Sequence, residues 1–309
     1  MKILITGIHG FVGSNLVVHL AKENEVFGLD IVAPKKEGVI RTYSWADLDN
    51  GFMPEVDAII HLAGKAHDTK NQTEAEVYFK VNRDLTIKIF DYFCAHPSIK
   101  KFVFFSTAKA AADKVNGILT ENVVPAPVGP YGESKIAAEK YILEHLPEGK
   151  EVYIFRPCMI HGPGNKGNLN LLYNVVKKGI PWPLGAFENR RTFTSIENIC
   201  FAVNGVLTKN VPSGIYNMGD DEALSTNELI EEICKSFGKK AHIWRLPKGL
   251  MCGLAKIGGW LHLPLDPERL RKLTESYISS NEKIKAALGV EKMPVDAWEG
   301  LKITLESFK

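Results

Sequence analysis

Cysteine is scarce in this chain, and the cysteine patterns that build scaffolds or bind metal are missing. The five present, Cys94, Cys158, Cys200, Cys234 and Cys252, are odd in number and far apart. None forms a C-x-x-C pair, which excludes a disulfide framework and a zinc site, so no metal is expected and the thiols should be reduced and mostly buried. An excess of charge of one sign is also lacking. The 38 Lys and Arg stand against 36 Asp and Glu, too even a balance for a global field that recruits nucleic acid or an anionic membrane. No apolar run is long enough to span a bilayer. The nearest, Gly249–Leu263, is interrupted by Lys256 and several glycines and reads as a partly buried helix or lid in preference to a membrane-surface segment. No secretory signal opens the chain, which points to the cytoplasm. Internal repeats, low-complexity tracts and charge blocks are absent as well.

What is present is an alternation. At 309 residues with 45% apolar content, the chain can bury the core of one large domain or two intimate ones. Lys2–Thr6, Glu25–Asp30, Ala58–Leu62, Phe102–Ser106 and Val152–Arg156 are short β-rich runs. Between them Phe11–Asn24, Glu76–His96 and Tyr131–Leu146 carry a helical period. Buried apolar strands alternating with helices imply an α/β fold, a Rossmann-type doubly wound parallel sheet. The second half is less regular, with a strand-like Gly214–Met218 and a helix opening near Ser225, where Thr226, Asn227 and Glu228 supply a capping region. We expect residues 1–160 to form a dinucleotide-binding domain with returning elements near 192–219, and residues 161–309 to form a smaller, interleaved substrate-binding domain.

The opening strand runs into Gly7, Gly10 and Gly13, spaced G-x-x-G-x-x-G, with Phe11 and Val12 inside the turn, and then into a helix. Glycine there lets the backbone approach a pyrophosphate, and the helix offers free N–H groups and a positive dipole end. The position directly after an apolar strand marks the loop as a dinucleotide cradle. Twenty residues after Gly10 the second strand ends in Asp30. A carboxylate there accepts from ribose hydroxyls and repels a 2′-phosphate, favouring NAD over NADP. Asp47 and Leu48 follow at the spacing where such folds meet adenine. His61-Leu62-Ala63-Gly64-Lys65 ends a further strand and should pass beside the cofactor's phosphates and nicotinamide ribose, with His61 itself a packed core residue.

Tyr131 and Lys135 stand four residues apart on one helix face. An ammonium near a phenol favours the phenolate, and a tyrosine of ordinary pKa would be a poor base at neutral pH. About 25 residues earlier the apolar run from Phe102 ends in Ser106 and Thr107, whose hydroxyls could bond a reacting substrate oxygen beside Tyr131.

Gly7, Gly10 and Gly13, Asp30, Leu62-Ala63-Gly64, Ser106-Thr107 and Tyr131-x-x-x-Lys135 stand in an order that resembles the extended short-chain dehydrogenase/reductases, the NAD-dependent epimerase/dehydratase family. The likeness runs on through Arg156-Pro157, Gly162-Pro163-Gly164, Arg191-Thr192-Phe193 and Tyr216-Asn217-Met218-Gly219, essentially the whole chain. It implies a catalytic triad of Thr107, Tyr131 and Lys135, with Asn82 near the nicotinamide. Ser106 and Pro157 would join the cofactor site. Asn168, Leu169 and Arg191 match positions holding a substrate's nucleotide and diphosphate, a task that suits the guanidinium fork. Arg190 competes with Arg191, and in the opaque stretch from Gly249 to Leu273 either Arg269 or Arg271 reaches the substrate phosphate or both simply face solvent. The stretch Gly185–Phe193 is most similar to bacterial UDP-sugar 4-epimerases and 4-ketoreductases of polysaccharide pathways. Where 4,6-dehydratases of the family carry Asp-Glu, this chain has Ala108 and Lys109, so dehydration lacks its proton handlers.

The resemblance implies oxidation of the C4 hydroxyl of a nucleotide sugar, UDP-linked by preference, to a 4-keto sugar that is reduced on its other face. That is 4-epimerisation. Reduction of a UDP-4-keto-6-deoxy sugar by an NAD(P)H-dependent enzyme is the alternative, and Asp30 favours the first. A non-catalytic NAD-binding regulator should have lost Tyr131 and Lys135, and an enzyme of small ketones has no use for Asn168 and Arg191. A homodimer could pair the helices Glu76–His96 and Tyr131–Leu146 across a two-fold axis, as in relatives.

Overall fold

The strands form where β-branched and aromatic residues cluster between glycine- and proline-rich turns. Lys2–Thr6, Glu25–Leu29, Arg41–Tyr43, Ala58–His61 and Lys101–Phe105 are strands β1 to β5. Ile118–Leu119, Glu151–Pro157, Met159–His161, Arg191–Ser195 and Gly214–Met218 are β6 to β10, and Ala223–Leu224 and Ile278–Ser279 are β11 and β12. The computed structural model describes residues 1–66, 74–165, 167–261 and 265–309.

Seven strands build one sheet in the order β10-β7-β5-β4-β1-β2-β3, with every neighbouring pair parallel. The order reverses beside β1, and the crevice at that switch point is where doubly wound sheets bind ligands. The inner strands are buried on both faces, so their residues divide by the two-residue period. Ile3, Ile5, Ile60 and Val103 face the helices Phe11–Leu20 and Ile196–Thr208. Leu4, Ile59, Phe102 and Phe104 face a layer holding Ile89, Phe90 and Phe93 from one helix and Ala138 and Ile142 from another. The sheet is therefore doubly wound, with helices on both faces.

The expected helix Glu76–His96 runs from Ala75 to Ala95, with a π-helical turn at Lys80–Asp84. That widened turn carries Asn82 inward, where it is fully buried. The helix that carries Tyr131 and Lys135 is Pro130–Glu144, opened by Gly129 with φ +86° and Pro130 at its first turn. Beyond the sheet, β8, β9 and β11 form a three-stranded sheet. A third apolar cluster gathers Leu169, Tyr173, Leu229, Ile233, Met251, Leu270 and Leu301. Its helix Thr226–Ser236 begins with a full capping box, Ser225 accepting from the Glu228 amide and Glu228 from the Ser225 amide.

Candidate active site

The end of β1 turns at Gly7 with φ +68°, and the Gly7 amide donates to the Leu29 carbonyl at 2.9 Å. A Cβ on Gly7 would lie 2.9 Å from the Ala63 nitrogen, and one on Gly13 would lie 2.6 Å from the Gly7 oxygen. Only bare backbone fits there. The helix Phe11–Leu20 starts at Gly10 with no side-chain cap and no acidic residue in its first turn, so its amides and dipole remain available to an anion. Asp30 is drawn against this loop, its carboxylate accepting from the His9 amide at 3.0 Å and the Ile31 amide at 2.7 Å. A glycine cradle, an uncapped helix end and a carboxylate at the next strand tip fit the diphosphate and adenosine ribose of NAD.

Beside the cradle, His61 is fully buried, and the hydrogen bonds around it settle its tautomer. The Thr86 hydroxyl spends its proton on the Asn82 carbonyl at 2.8 Å, so it must accept from His61 Nε2 at 2.9 Å. His61 Nδ1 then accepts from the Thr6 hydroxyl at 2.7 Å, and the Thr6 oxygen accepts the Leu62 and Ala63 amides at 3.2 and 3.0 Å. Burial, followed by the Lys135 charge, holds the imidazole well below its ordinary pKa. This is a neutral core histidine that shapes the loop after β4. The loop's far end is held by Asn82, whose Oδ1 accepts the Lys65 amide at 2.7 Å. Its Nδ2 donates to the Lys65 carbonyl and to Ser134 Oγ, each at 3.1 Å. Asn82 thereby fixes Leu62–Lys65 to the helix that carries Tyr131 and Lys135.

Thr107, at the end of β5, caps the short helix Ala108–Ala111 and hydrogen-bonds the Tyr131 phenol. The Tyr131 ring meets Tyr78 edge-on, centroids 6.1 Å apart. Lys135 is buried, its Nζ 2.8 Å from the Phe105 carbonyl and 4.8 Å from the centre of the Phe104 ring. Burial lowers this ammonium to about 8, opposed by the Glu139 carboxylate one helical turn on. Glu139 and Arg156 form an ion pair with side chains at most 2% exposed. Arg156 Nε donates to both carboxylate oxygens at 3.0 and 3.1 Å, and Ser106 donates to the same carboxylate.

On the substrate side, Arg191 opens β9 and donates from Nε to the Glu275 carbonyl at 3.1 Å. Arg271 reaches Glu275 at 3.0 Å and Asp113 at 3.5 Å. The Arg191 and Arg271 guanidinium groups lie near enough to repel, which contributes to the lowered Arg191 pKa after burial itself. Arg190 is turned away into an ion pair with Glu228 at 2.8 Å, and Arg269 pairs with Asp266 at 3.5 Å. Asn168 is exposed at the start of the helix Asn168–Lys177, while Leu169 is in the third apolar cluster. Asp47 folds back on Ser44 as a capping box, and Leu48 packs under the sheet. Phe11 and Val12 sit half-buried in the first turn after the glycine loop, and Pro157 closes β7 opposite Met218. Among the described residues no group of three or more His, Cys, Asp or Glu could hold a metal ion.

The model of the NAD dependent epimerase/dehydratase family matches residues 3–219. The chain belongs to that family. It is 30% identical to the UDP-glucose 4-epimerase of Vibrio cholerae, across 99% of this chain and 95% of that one. It is 27% identical to the N-acetyl-alpha-D-glucosaminyl-diphospho-ditrans,octacis-undecaprenol 4-epimerase of Escherichia coli O157:H7, across 92% and 84%. The UDP-glucuronic acid 4-epimerase of Bacillus cereus, solved in complex with NAD, shares the fold at a TM-score of 0.75 and 22% identity, covering 100% of this chain and 98% of that one.

Within the NAD dependent epimerase/dehydratase family this site departs from the sequence expectation at the phenol. Proximity of Lys135 was expected to lower the Tyr131 pKa. Instead burial raises it, and the Thr107 hydrogen bond is what pulls it down. The physical reason is direction: the Lys135 ammonium turns inward to the Phe105 carbonyl and Glu139. Sequence reasoning also passed over Glu139 and Ser134. Glu139 stands four residues after Lys135, the spacing that stacks side chains on one helix face, and that signal could have found it.

Proposed function

We propose that this chain is an NAD-dependent nucleotide-sugar 4-epimerase, acting on a UDP-hexose or UDP-N-acetylhexosamine through a transient 4-keto sugar. The observation that carries the reading is the Tyr131 phenol bonded to Thr107, one helical turn from buried Lys135, with the loop Leu62–Lys65 pinned by Asn82 to the helix that carries them. Bound NAD supplies the two-electron acceptor and donor that the exchange at C4 requires.

The residues of this chain handle the proton and the geometry. Tyr131 Oη takes the proton of the C4 hydroxyl as it is oxidised and returns it when the other face is reduced. Thr107 hydrogen-bonds the same C4 oxygen and the Tyr131 phenol, donating to one and accepting from the other, and so fixes their distance. Lys135 keeps a positive charge under the site, where it stabilises phenolate character once the phenol gives up its own proton. Gly7, Gly10, Gly13, Asp30, Leu62, Ala63, Gly64 and Lys65 hold the dinucleotide, with Asp47 and Leu48 towards adenine. Ser106 and Pro157 close the floor from the strand ends. For the substrate we assign Asn168, Leu169, Arg191 and Arg271 to the nucleotide and diphosphate. Arg191 is preferred to Arg190 because Arg190 is consumed by Glu228. Ala108 is buried and Lys109 is tied to Asp113, which leaves elimination of water without an acid and base.

This reading divides the labour as the sequence suggests, residues 1–160 and the returning strand for the cofactor, the remainder mainly for substrate. The five cysteines, all free, suit a reducing compartment such as the cytoplasm, and no described helix is long and apolar enough to cross a membrane. A homodimer through the helices Ala75–Ala95 and Pro130–Glu144 is part of the proposal.

The test is turnover without added coenzyme. The purified protein should retain NAD and interconvert UDP-glucose and UDP-galactose, or their N-acetyl counterparts. Tyr131→Phe should lower kcat by about 10²–10⁴-fold. Stoichiometric consumption of NADH with a UDP-4-keto-6-deoxy sugar would instead establish the reductase, and undiminished turnover by the Phe variant would overturn the site.

A further inference from the structure

The helix Lys248–Trp260 buries Met251, Ala255 and Gly258 and leaves a second apolar face uncovered. Leu250, Leu254, Ile257 and Leu261 are each about half exposed, and Trp260 is 80% exposed. They recur at intervals of four, three and four residues, which places them in one stripe along the helix. Gly253 and Gly249 flank that stripe, and a Cβ on either would meet nothing within 4 Å. Trp244, just before the helix, is a further exposed aromatic at 55%. The expected partly buried helix is therefore only half the description: a second side of it presents exposed apolar side chains.

Charge identifies what this face meets. From Ile233 to Leu265 the sequence holds Lys235, Lys239, Lys240, Arg245, Lys248 and Lys256 and not one Asp or Glu. All six cations are exposed. The chain as a whole is only +2, so the remainder is net acidic and the basic charge is concentrated in the stretch of sequence that contains this helix. A second copy docking through the same face would set one basic segment against another, which is repulsive. An apolar stripe with Trp at its edge and lysines beside it is instead the chemistry of a helix lying in the interface of an anionic bilayer.

We propose that the Lys248–Trp260 helix is a membrane-contact surface that seats this protein on anionic phospholipid. Leu250, Leu254, Ile257 and Trp260 enter the acyl boundary, and Lys256 reaches back to the headgroups. The helix is too short to span and lies flat. It packs against the helix Pro267–Thr274, Gly259 abutting Pro267, so the contact adjoins the element that carries Arg271. The inference is independent of which sugar is turned over.

Flotation of the full chain with extruded vesicles tests it. Binding is expected to vesicles of equal phosphatidylglycerol and phosphatidylcholine, with a blue shift of tryptophan emission, and to weaken with salt and on pure phosphatidylcholine. Leu254→Glu with Ile257→Glu, both on the exposed face, should lower the partition coefficient about a hundredfold without lowering the melting temperature. Failure of the parent to float with anionic vesicles overturns the proposal. So does a parent that self-associates in their absence while the double variant is monomeric, because a second copy then covers the face.

Discussion

Replacing Glu139 with Gln separates the structural from the chemical role of the charge beneath the site. The carboxylate accepts from Ser106 and from two nitrogens of Arg156, and both members of the pair are essentially inaccessible to water. Gln keeps the shape but presents an NH₂ group to a guanidinium that already has an unpartnered buried nitrogen, Nη1. Breaking a buried pair from one side costs about 3–5 kcal/mol, because the surviving charge remains desolvated. For a chain of this size that corresponds to a fall in melting temperature of roughly 5–15 °C. Chemically, Glu139 is the group that raises Lys135 against its burial. Its loss should depress Lys135 below its present value of about 8 and draw the alkaline limb of kcat/KM to lower pH. The combination Glu139→Gln with Arg156→Met removes the stranded guanidinium. It should recover most of the melting temperature while the alkaline limb stays below that of the parent. Differential scanning fluorimetry and a pH profile of kcat/KM read the two effects apart. A single variant that melts with the parent and keeps its pH profile would show that no charged pair supports the site.

Two further outcomes follow from the same geometry. Lys135→Met should abolish turnover yet stabilise the ligand-free protein at neutral pH by about 2 kcal/mol, the cost of burying a lysine depressed to about 8 from 10.5 less the lost bond to Phe105. Between those two pKa values the unfolded parent holds a proton that the folded parent has released, so parental stability rises with pH there and the advantage of Met shrinks; an advantage that persists at pH 10.5 contradicts the cause. The same small substitution should have opposite signs at two glycines. Gly64→Ala brings a Cβ within 3.0 Å of Asn82 Oδ1 and 3.2 Å of Lys135 Nζ, and should cost about 1–3 kcal/mol together with retained NAD. Gly253→Ala meets nothing and should add up to about 1 kcal/mol, both read by thermal melts.

The parts legible in the sequence were those set by local rules. A glycine where a Cβ would strike backbone, a Ser three residues before Glu at a helix start, and a run of β-branched residues each state their structure within a few positions. Hence β1 and β10 occur as read, and the glycine turn with its uncapped helix, and the Ser225 cap, are found in place. The π-helical turn at Lys80–Asp84 was not legible, since no residue period marks a single widened turn. Asn82 could be named only through family resemblance.

The choice between Arg190 and Arg191 marks where local rules could have gone further. The two adjoin at the start of β9, so the alternation of side chains along a strand must send them to opposite sides. One goes to Glu228 on the outer helix and the other to the Glu275 carbonyl near Arg271. Period alone separates them, but deciding which side is the site needs the sheet's neighbours. Lys135 shows the opposite limit. Its spacing from Tyr131 is visible in the sequence, yet its direction is set by a carbonyl on β5 and by Glu139, whose own partner Arg156 lies on β7. A pKa depends on distances between elements, so a motif that names the right pair can still miss which neighbours set the pKa of one member.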